Sequence, residues 1–388
     1  MSIAGVVTRA QSARDEALQD EVHSTRTAAL LGVALGACFL VCFATGLVSH
    51  LIQHPTGWFR WPPRPVGLYR ATQGIHVATG LATIPLLLAK LWSVFPHLFR
   101  WPPVTSVAHA VERIMLVPLV CGAVFMLFSG AANIAQFYPW HFAFPVAHYW
   151  VAWITIGALV AHTGAKLATT RDALRHPPAP GTAMDGSAMS RRSYLTLAGA
   201  SAAAVTLTTV GQTYWPLRRL VLFGPRRPDI GPQGLPVNAL ATADIRAAGR
   251  DPAYRLRVIG DVPTPLELGI DDLAAMTQHE TRLPIACVEG WSATADWRGV
   301  PVRDLLARAG VRADDVVEVT VHSLQRGGSY GHSRLSNAQA RDRDTLVALE
   351  VNGETLHPDH GYPCRLIGPN RPGVQQTKWL RDLTVTRL

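Results

Sequence analysis

The residue best placed to do chemistry is Cys287, in the run Leu283-Pro284-Ile285-Ala286-Cys287-Val288-Glu289-Gly290-Trp291-Ser292. A short apolar stretch ends at this cysteine and a polar loop with Gly and Trp follows, so a strand is expected to deliver the thiol into a loop. A thiolate held there by backbone suits one soft metal, because the deprotonated sulfur is the ligating form. The other four cysteines sit differently. Cys38, Cys42 and Cys121 fall in long apolar segments, and Cys364 follows Tyr362-Pro363 in an expected strand.

Histidines in apolar surroundings form a second set. His76, His148 and His162 fall inside segments long enough to cross a bilayer, where an ionisable group is costly enough to mark a function. His76 and His148 lie at similar depth on separate helices, so they can supply both axial positions of one haem. His162 follows His148 by fourteen residues, about 21 Å of helix and nearly the same face. That places its ring at a second depth, where a second haem would stand. His50, His54, His97 and His141 lie near the expected interfaces and are read as local packing or solvated groups.

Two scaffolds must position these groups, and the composition changes between them near residue 215. Before it the chain is dominated by apolar runs; after it the pattern is that of an ordinary soluble domain. The formal net charge of +9 does not point to nucleic acid. No basic stripe with interleaved aromatics is present, and many arginines flank apolar segments. Five segments exceed the roughly 20 apolar residues a spanning helix needs: Thr27 to His50, Ala71 to Phe95, Val107 to Asn133, Phe144 to Leu167 and Tyr194 to Trp215. The first is too long and lacks the cleavage site of a removable signal.

Arginine and lysine placement orients them. Arg9, Arg14 and Arg26 precede the first span, Arg100 and Arg113 fall around the turn into the third, and Lys166, Arg171, Arg175, Arg191 and Arg192 lie between the fourth and fifth. Arg60, Arg64 and Arg70 occupy the other side. The positive-inside rule puts the N-terminus in the cytoplasm and the residues after Trp215 outside it, in a multi-pass cell-membrane protein. Ser190-Arg191-Arg192-Ser193-Tyr194-Leu195 resembles a twin-arginine export signal, a receptor-read address suited to domains folded around a cofactor. The expected organisation is a cytoplasmic tail over 1–26, a four-helix membrane domain over 27–168, a linker over 169–192, a fifth membrane helix over 193–216 and an extracytoplasmic domain over 225–388.

Within the last domain, strands are expected over Tyr254 to Ile259, Arg282 to Ala286, Val316 to Val321, Leu346 to Val351, Cys364 to Ile367 and Leu383 to Thr386. Asp271 to Met276 reads as a capped helical turn and Val302 to Ala309 as a helix. This is α+β without βαβ regularity or a Gly-rich dinucleotide loop, which argues against NAD and FAD.

The spacing of His76, His148 and His162 resembles the dihaem cytochrome b family that anchors formate dehydrogenases and nickel-iron hydrogenases. That resemblance covers the first four spans and implies one or two haem b groups. It departs at the inner haem: Ala28-Ala29-Leu30-Leu31-Gly32-Val33 holds no histidine, leaving His109 or His23 as the partner of His162.

Cys287-Val288-Glu289-Gly290-Trp291-Ser292, Asp296-Trp297-Arg298-Gly299-Val300-Pro301 and Val302-Arg303-Asp304-Leu305-Leu306 resemble the sulfite-oxidase-fold molybdopterin enzymes. Within that family they are most similar to the periplasmic methionine sulfoxide reductase catalytic subunit. The resemblance implies that Cys287 is the protein thiolate on molybdenum and that Tyr330, in Tyr330-Gly331-His332-Ser333, is the active-site tyrosine. It further implies cofactor contacts from Asn238, His360, Arg365 and Lys378, within Leu235-Pro236-Val237-Asn238, Asp359-His360-Gly361-Tyr362-Pro363-Cys364-Arg365-Leu366 and Lys378-Trp379-Leu380; Asn352-Gly353-Glu354 completes the pattern. Sulfite oxidases carry an Arg-Asn-His run and an arginine pair after the metal cysteine. Here Val237-Asn238-Ala239 and Gly290-Trp291-Ser292 stand in those places, which favours a neutral sulfoxide or N-oxide over sulfite. The expected protein takes electrons from the quinone pool or an inner-side reductase through haem to Mo-molybdopterin. The rivals are an oxidase or dehydrogenase running electrons inward and a non-catalytic membrane receptor.

Overall fold

Among the described residues, five helices in the N-terminal part are long and apolar enough to cross a membrane. They are α1 (Thr25–Gln53), α2 (Leu68–Leu98), α3 (Val107–Ile134), α4 (Phe144–Arg175) and α5 (Arg191–Val210). The structure, a computed structural model, describes residues 21–98, 104–176, 189–210, 220–224, 226–227, 229–327 and 330–388. Arg9, Arg14 and Arg100, residues 177–188 of the linker and residues 211–216 of the fifth expected span lie outside the described residues.

The first four helices run longer than the apolar stretches alone suggest. The fourth does not stop at Leu167 but continues to Arg175, so residues 169–175, expected as linker, are helical. Lys166, just before that extension, pairs with Glu112 of α3 at 2.5 Å, and within it the carbonyls of Ala173 and Leu174 accept from Arg26. Polar partners of this kind let a helix outrun its apolar segment. The arginine pair expected as an export signal forms the first turn of α5, where the Arg191 N–H donates to Glu21 at 2.8 Å.

The chain divides into two compact units, and the division is not sequential. One comprises Met1–Leu47 and Ile75–Gly211; the other joins Val48–Gly74 to Gln212–Leu388. The segment between the first two helices, expected to belong to the membrane domain, is therefore part of the second unit.

That unit holds two sheets. The first has the order β2-β1-β10-β5-β6, from β1 (Leu256–Gly260), β2 (Leu266–Leu268), β5 (Val317–Ser323), β6 (His332–Leu335) and β10 (Leu380–Arg387). The β1–β10 pair is parallel and the others are antiparallel. The second runs β3-β4-β7-β8, with β9 also on β7: β3 (His279–Ala286), β4 (Ser292–Pro301), β7 (Leu346–Val351), β8 (Glu354–Thr355) and β9 (Arg365–Ile367). Short helices α6 (Ala243–Arg250), α7 (Ile270–Ala275), α8 (Val302–Arg308) and α9 (Asn337–Arg341) complete it.

Periodicity explains the layers. In β5, Val317, Val319 and Val321 are buried and alternate with Glu318, Thr320 and His322, as expected where one face meets a core. In β7 the run Leu-Val-Ala-Leu-Glu-Val is almost unbroken because both faces are covered. Val347 and Leu349 enter one core with Leu305, Leu306, Val319 and Leu383, while Leu346, Ala348 and Val351 enter another with Trp297, Leu283 and Cys287. The second core is the one that reaches the candidate site.

Strand β4 pairs antiparallel with β7, and a register shift falls between Arg298 and Gly299. A Cβ at Gly299 would stand 2.1 Å from the Val347 carbonyl oxygen and 2.5 Å from the Ala348 Cα, so only glycine allows this approach. Gly299→Ala is expected to destabilise the unit by about 2 kcal/mol or more, read as a lower thermal midpoint of the full chain in detergent by tryptophan fluorescence.

Candidate active site

Strand β3 ends at Ala286, and Cys287 opens a turn that closes before β4 begins at Ser292. The turn is pinned twice. The Cys287 N–H donates to Trp291 O at 2.9 Å, and the Gly290 N–H donates to Cys287 O at 3.1 Å. Gly290 takes φ 88°, a left-handed conformation that other residues reach only with strain. On the other side of the strand end, Ala286 makes a parallel bridge to Pro372. Strand and turn thus fix the backbone that aims the sulfur, which is 6% exposed.

Neutral donors and one carboxylate surround that sulfur. Asn238 Nδ2 donates to Cys287 Sγ at 3.3 Å and to Glu289 Oε2 at 2.9 Å. Trp291 Nε1 donates to the same carboxylate oxygen at 3.0 Å, and Arg226 Nε donates to Asn238 Oδ1 at 3.0 Å, which fixes the amide's orientation. Burial raises the pKa of the Tyr330 phenol, with the charges of Cys287 and Glu289 adding to the rise, so this half-exposed ring lies within electrostatic reach of the thiol.

Burial pushes the Cys287 thiol up to about 12; Glu289 adds to the rise, while backbone N–H groups and the Asn238 amide oppose it. By itself such a sulfur stays protonated at neutral pH. A metal cation on Sγ removes the penalty and takes the thiolate. The site therefore fits one soft metal held by a single protein sulfur.

A cationic region adjoins it. Lys378 Nζ donates to the carbonyl of Ala239, the residue after Asn238, at 2.6 Å and to Asp359 O at 2.8 Å. Arg365, expected to be a cofactor contact, is buried. Its guanidinium donates to His360 O and Gln376 O, each at 3.0 Å, and lies 5.0 Å over the Trp297 ring. His360 Nε2 donates to Pro232 O at 2.7 Å. Arg371, given no role by the sequence, is buried too; it donates to Gln339 and to Gln375 O, and its Nε has no partner.

Burial lowers both guanidinium groups to about 9. It lowers Lys378 to about 7, with Arg365 adding and Asp359 opposing. His360 falls to about 4, from burial first, with the Pro232 carbonyl opposing and Arg365, Lys378 and His357 adding. Buried cations held mainly by carbonyls and amides favour an anion among them. Ser292 Oγ, at the far end of the Cys287 turn, is also buried without a partner. These donors fit an anionic, hydrogen-bonding cofactor beside the thiol.

The structure thus brings Cys287 and Asn238 together, places Tyr330 within electrostatic reach of the thiol, and groups His360, Arg365 and Lys378 in the adjoining region. Asn352 and Gly353 do something else: they turn β7 into β8, with Asn352 bonded to Gln233 and Asp296. Sequence reasoning gave no role to Glu289, Arg371 or Arg226. Glu289 stood inside the cysteine run and Arg371 in Asn370-Arg371-Pro372, but neither spacing reveals burial.

In the helical unit, His76 and His148 face each other with ring centroids 6.5 Å apart. His76 Nδ1 donates to Cys42 O at 2.8 Å, and His148 Nδ1 is bonded to Ser129 Oγ at 3.0 Å. With Nδ1 engaged on both rings, each Nε2 is the nitrogen left to bind a metal. Two metal–nitrogen bonds of about 2 Å plus two ring radii span roughly this separation, so the pair fits one six-coordinate iron. His162 has different company: Lys90, Lys166 and Glu112 are its charged neighbours. His109 is bonded locally to Thr105 and Arg113, and His23 to Ser93 O. Among the described residues no hydrogen bond joins His162 to another imidazole.

The cationic region predicts a pH dependence. Between about pH 7 and 10.5 an unfolded Lys378 binds a proton that the folded one does not, so stability rises with pH across that window. Urea denaturation of the cofactor-free full chain is expected to show this rise, and Lys378→Met is expected to flatten it.

Residues 243–388 match the family described as oxidoreductase molybdopterin binding domain. The uncharacterized oxidoreductase YuiH of Bacillus subtilis is 33% identical over 135 residues, 34% of this chain and 66% of that protein. Mitochondrial sulfite oxidase of Mus musculus is 32% identical over 157 residues, covering 34% of this chain and 29% of its own length. The NADH nitrate reductase of Ulva prolifera is 30% identical over 162 residues, covering 34% and 19%. The match to this chain thus spans less than a third of the sulfite oxidase and of the nitrate reductase. Residues 243–388, Cys287 among them, therefore carry a molybdopterin-binding oxidoreductase domain of the sulfite-oxidase type.

Proposed function

We propose that this chain is a membrane-bound molybdenum oxidoreductase that reduces a sulfoxide or N-oxide outside the cytoplasm, using electrons carried through haem b. The observation that carries the reading is the buried Cys287 thiol, held at a strand end beside Asn238 and within electrostatic reach of Tyr330, in a domain of this family. Cys287 Sγ is the protein ligand to molybdenum. The bound Mo-molybdopterin supplies two-electron oxygen-atom chemistry, in which the sulfoxide, two electrons and two protons become sulfide and water.

The chain's own residues hold and orient. Asn238 donates to the sulfur and keeps its electron density in place, as partners beyond the metal's own ligands do. Arg365, Arg371, Lys378 and His360 provide the positive region for the anionic cofactor. The half-exposed Tyr330 phenol is placed to donate to a substrate oxygen. A neutral substrate is favoured because the charged side chain that the thiol feels most is the Glu289 carboxylate. The arginine pair expected of a sulfite pocket is replaced by Gly290-Trp291-Ser292.

His76 and His148 hold one haem b, which supplies one-electron transfer within the membrane. The electrons come from the quinone pool or an inner-side reductase. Arg26, Lys166, Arg171, Arg175, Arg191 and Arg192 support a cytoplasmic N-terminus, with the molybdopterin domain on the opposite side. The similarity to a sulfite oxidase favours a second reading, in which electrons run inward from an oxidised substrate.

Purified full-length protein is expected to contain molybdenum and a Soret band, and its dithionite-reduced haem is expected to be reoxidised by methionine sulfoxide. Haem reduction on adding sulfite, with no reoxidation by sulfoxide, would establish the second reading instead. Cys287→Ser is expected to abolish turnover with the Soret band intact, and Asn238→Ala to lower kcat by roughly 10–100-fold. His76→Ala is expected to remove the Soret band while molybdenum remains.

A further inference from the structure

The turn that carries Cys287 is not held by its own strands alone. Its internal hydrogen bonds use the Cys287 N–H and carbonyl, the Gly290 N–H and the Trp291 carbonyl. The Val288 carbonyl accepts from Gln73 Nε2 at 2.9 Å. Gln73 is 5% exposed and lies in the first turns of α2, within the Val48–Gly74 segment that shares a compact unit with the C-terminal domain. Its other amide atom, Oε1, is buried without a hydrogen-bond partner.

The segment is tied to the residues around that turn. Trp61 Nε1 donates to Asn370 O at 2.9 Å, Asn370 Nδ2 donates to Pro62 O at 2.6 Å, and the Tyr69 N–H donates to Asn370 Oδ1 at 2.6 Å. Gln375 Nε2 donates to Ile52 O at 3.0 Å, and Arg64 pairs with Asp342 and Asp344. Ile52 and Tyr69 pack with Ala286 in one apolar cluster. The segment therefore touches the residue before Cys287 through Tyr69 and Ile52, and the residue after it through Gln73.

We infer that Gln73 is a positioning residue for the metal-binding thiolate, and that its Oε1 accepts a hydrogen bond from the bound cofactor. The inference rests on the reading of Cys287 as the molybdenum ligand. Fixing the Val288 carbonyl fixes the peptide that follows Cys287, and with it the direction of Sγ. A buried acceptor without a partner is costly, and such an atom is retained where a bound group completes it.

The test uses the full chain in detergent with Gln73→Met, which fills the space without hydrogen bonding, and Gln73→Glu, which keeps an acceptor but offers Val288 O no N–H. Both variants are expected to hold molybdenum within about twofold of wild type. Their Mo(V) electron paramagnetic resonance spectra are expected to shift, and kcat to fall roughly tenfold or more with a smaller change in KM. Gln73→Met, which removes both the donor and the acceptor, is expected to show the larger effect.

Trp61→Phe serves as the control. It removes the donor to Asn370 O and is expected to lower thermal stability while leaving the Mo(V) spectrum unchanged. Gln73 variants whose Mo(V) spectrum superimposes on wild type, with activity lost only in proportion to metal, overturn the inference. A Trp61→Phe spectrum shifted like theirs does so too, because the effect then belongs to the whole segment. A wild-type chain matured with cofactor supply yet free of molybdenum sinks the reading of Cys287 itself, which separates the two failures.

Discussion

A sulfur atom buried beside a carboxylate is unfavourable as an anion, and the second unit is organised around that constraint. Cys287 stands where β3 stops, its backbone is committed to a tight turn, and Glu289 opposes its ionisation. Water cannot relieve this, because the thiol is inside the second core with Trp291 and Trp297. The same interior holds Arg365 and Arg371, whose guanidinium groups are bonded mainly to carbonyls and amides. Sulfur and cations are each poorly compensated as the protein folds alone. A cofactor with a metal at one end and anionic oxygens elsewhere satisfies both at once. This complementarity is a stronger reason for the assignment than any one residue's identity.

The membrane-spanning part follows the same logic with other means. An imidazole inside an apolar helix needs partners, and His76 and His148 each use one nitrogen on a neighbouring helix group, Cys42 O and Ser129 Oγ. Those bonds set ring orientation and leave the second nitrogen for a metal, the arrangement that metal-ligating histidines commonly adopt. His162 shows the alternative. Lys90, Lys166 and Glu112 surround it, and Lys166 with Glu112 already forms an ion pair. These charged neighbours distinguish its surroundings from those of His76 and His148.

Much of this was legible in the sequence where physics is local. Periodicity located β3, β5, β7 and α8 because burial on one or two faces leaves a direct trace in the residue pattern. Strand β4 was not legible. Ser292–Pro301 mixes small, charged and aromatic residues, and its strand character comes from pairing with β3 and β7 on either side. The cysteine was recognisable because an apolar run ends at it, whereas Arg371 was not, since nothing adjacent to it in sequence signals burial. The company of His162 was also beyond local reading. Spacing along a helix places a ring on a face but does not say what the facing helix offers.

The least legible feature is that the second unit is assembled from two stretches far apart in sequence. Composition divides the chain after the fifth helix, yet Asn370 spends both its amide nitrogen and its oxygen on the backbone of residues 62 and 69. Asn370 is buried with φ 54°, a conformation that asparagine tolerates better than most residues because its side chain can bond locally. Here the side chain bonds across some three hundred positions instead. Without the segment over 48–74, the Asn370 amide and the Val288 carbonyl would lose these partners, and buried polar groups left so are costly. The boundary seen in composition separates apolar from polar chain. The boundary of the folded unit is set by where those hydrogen bonds go.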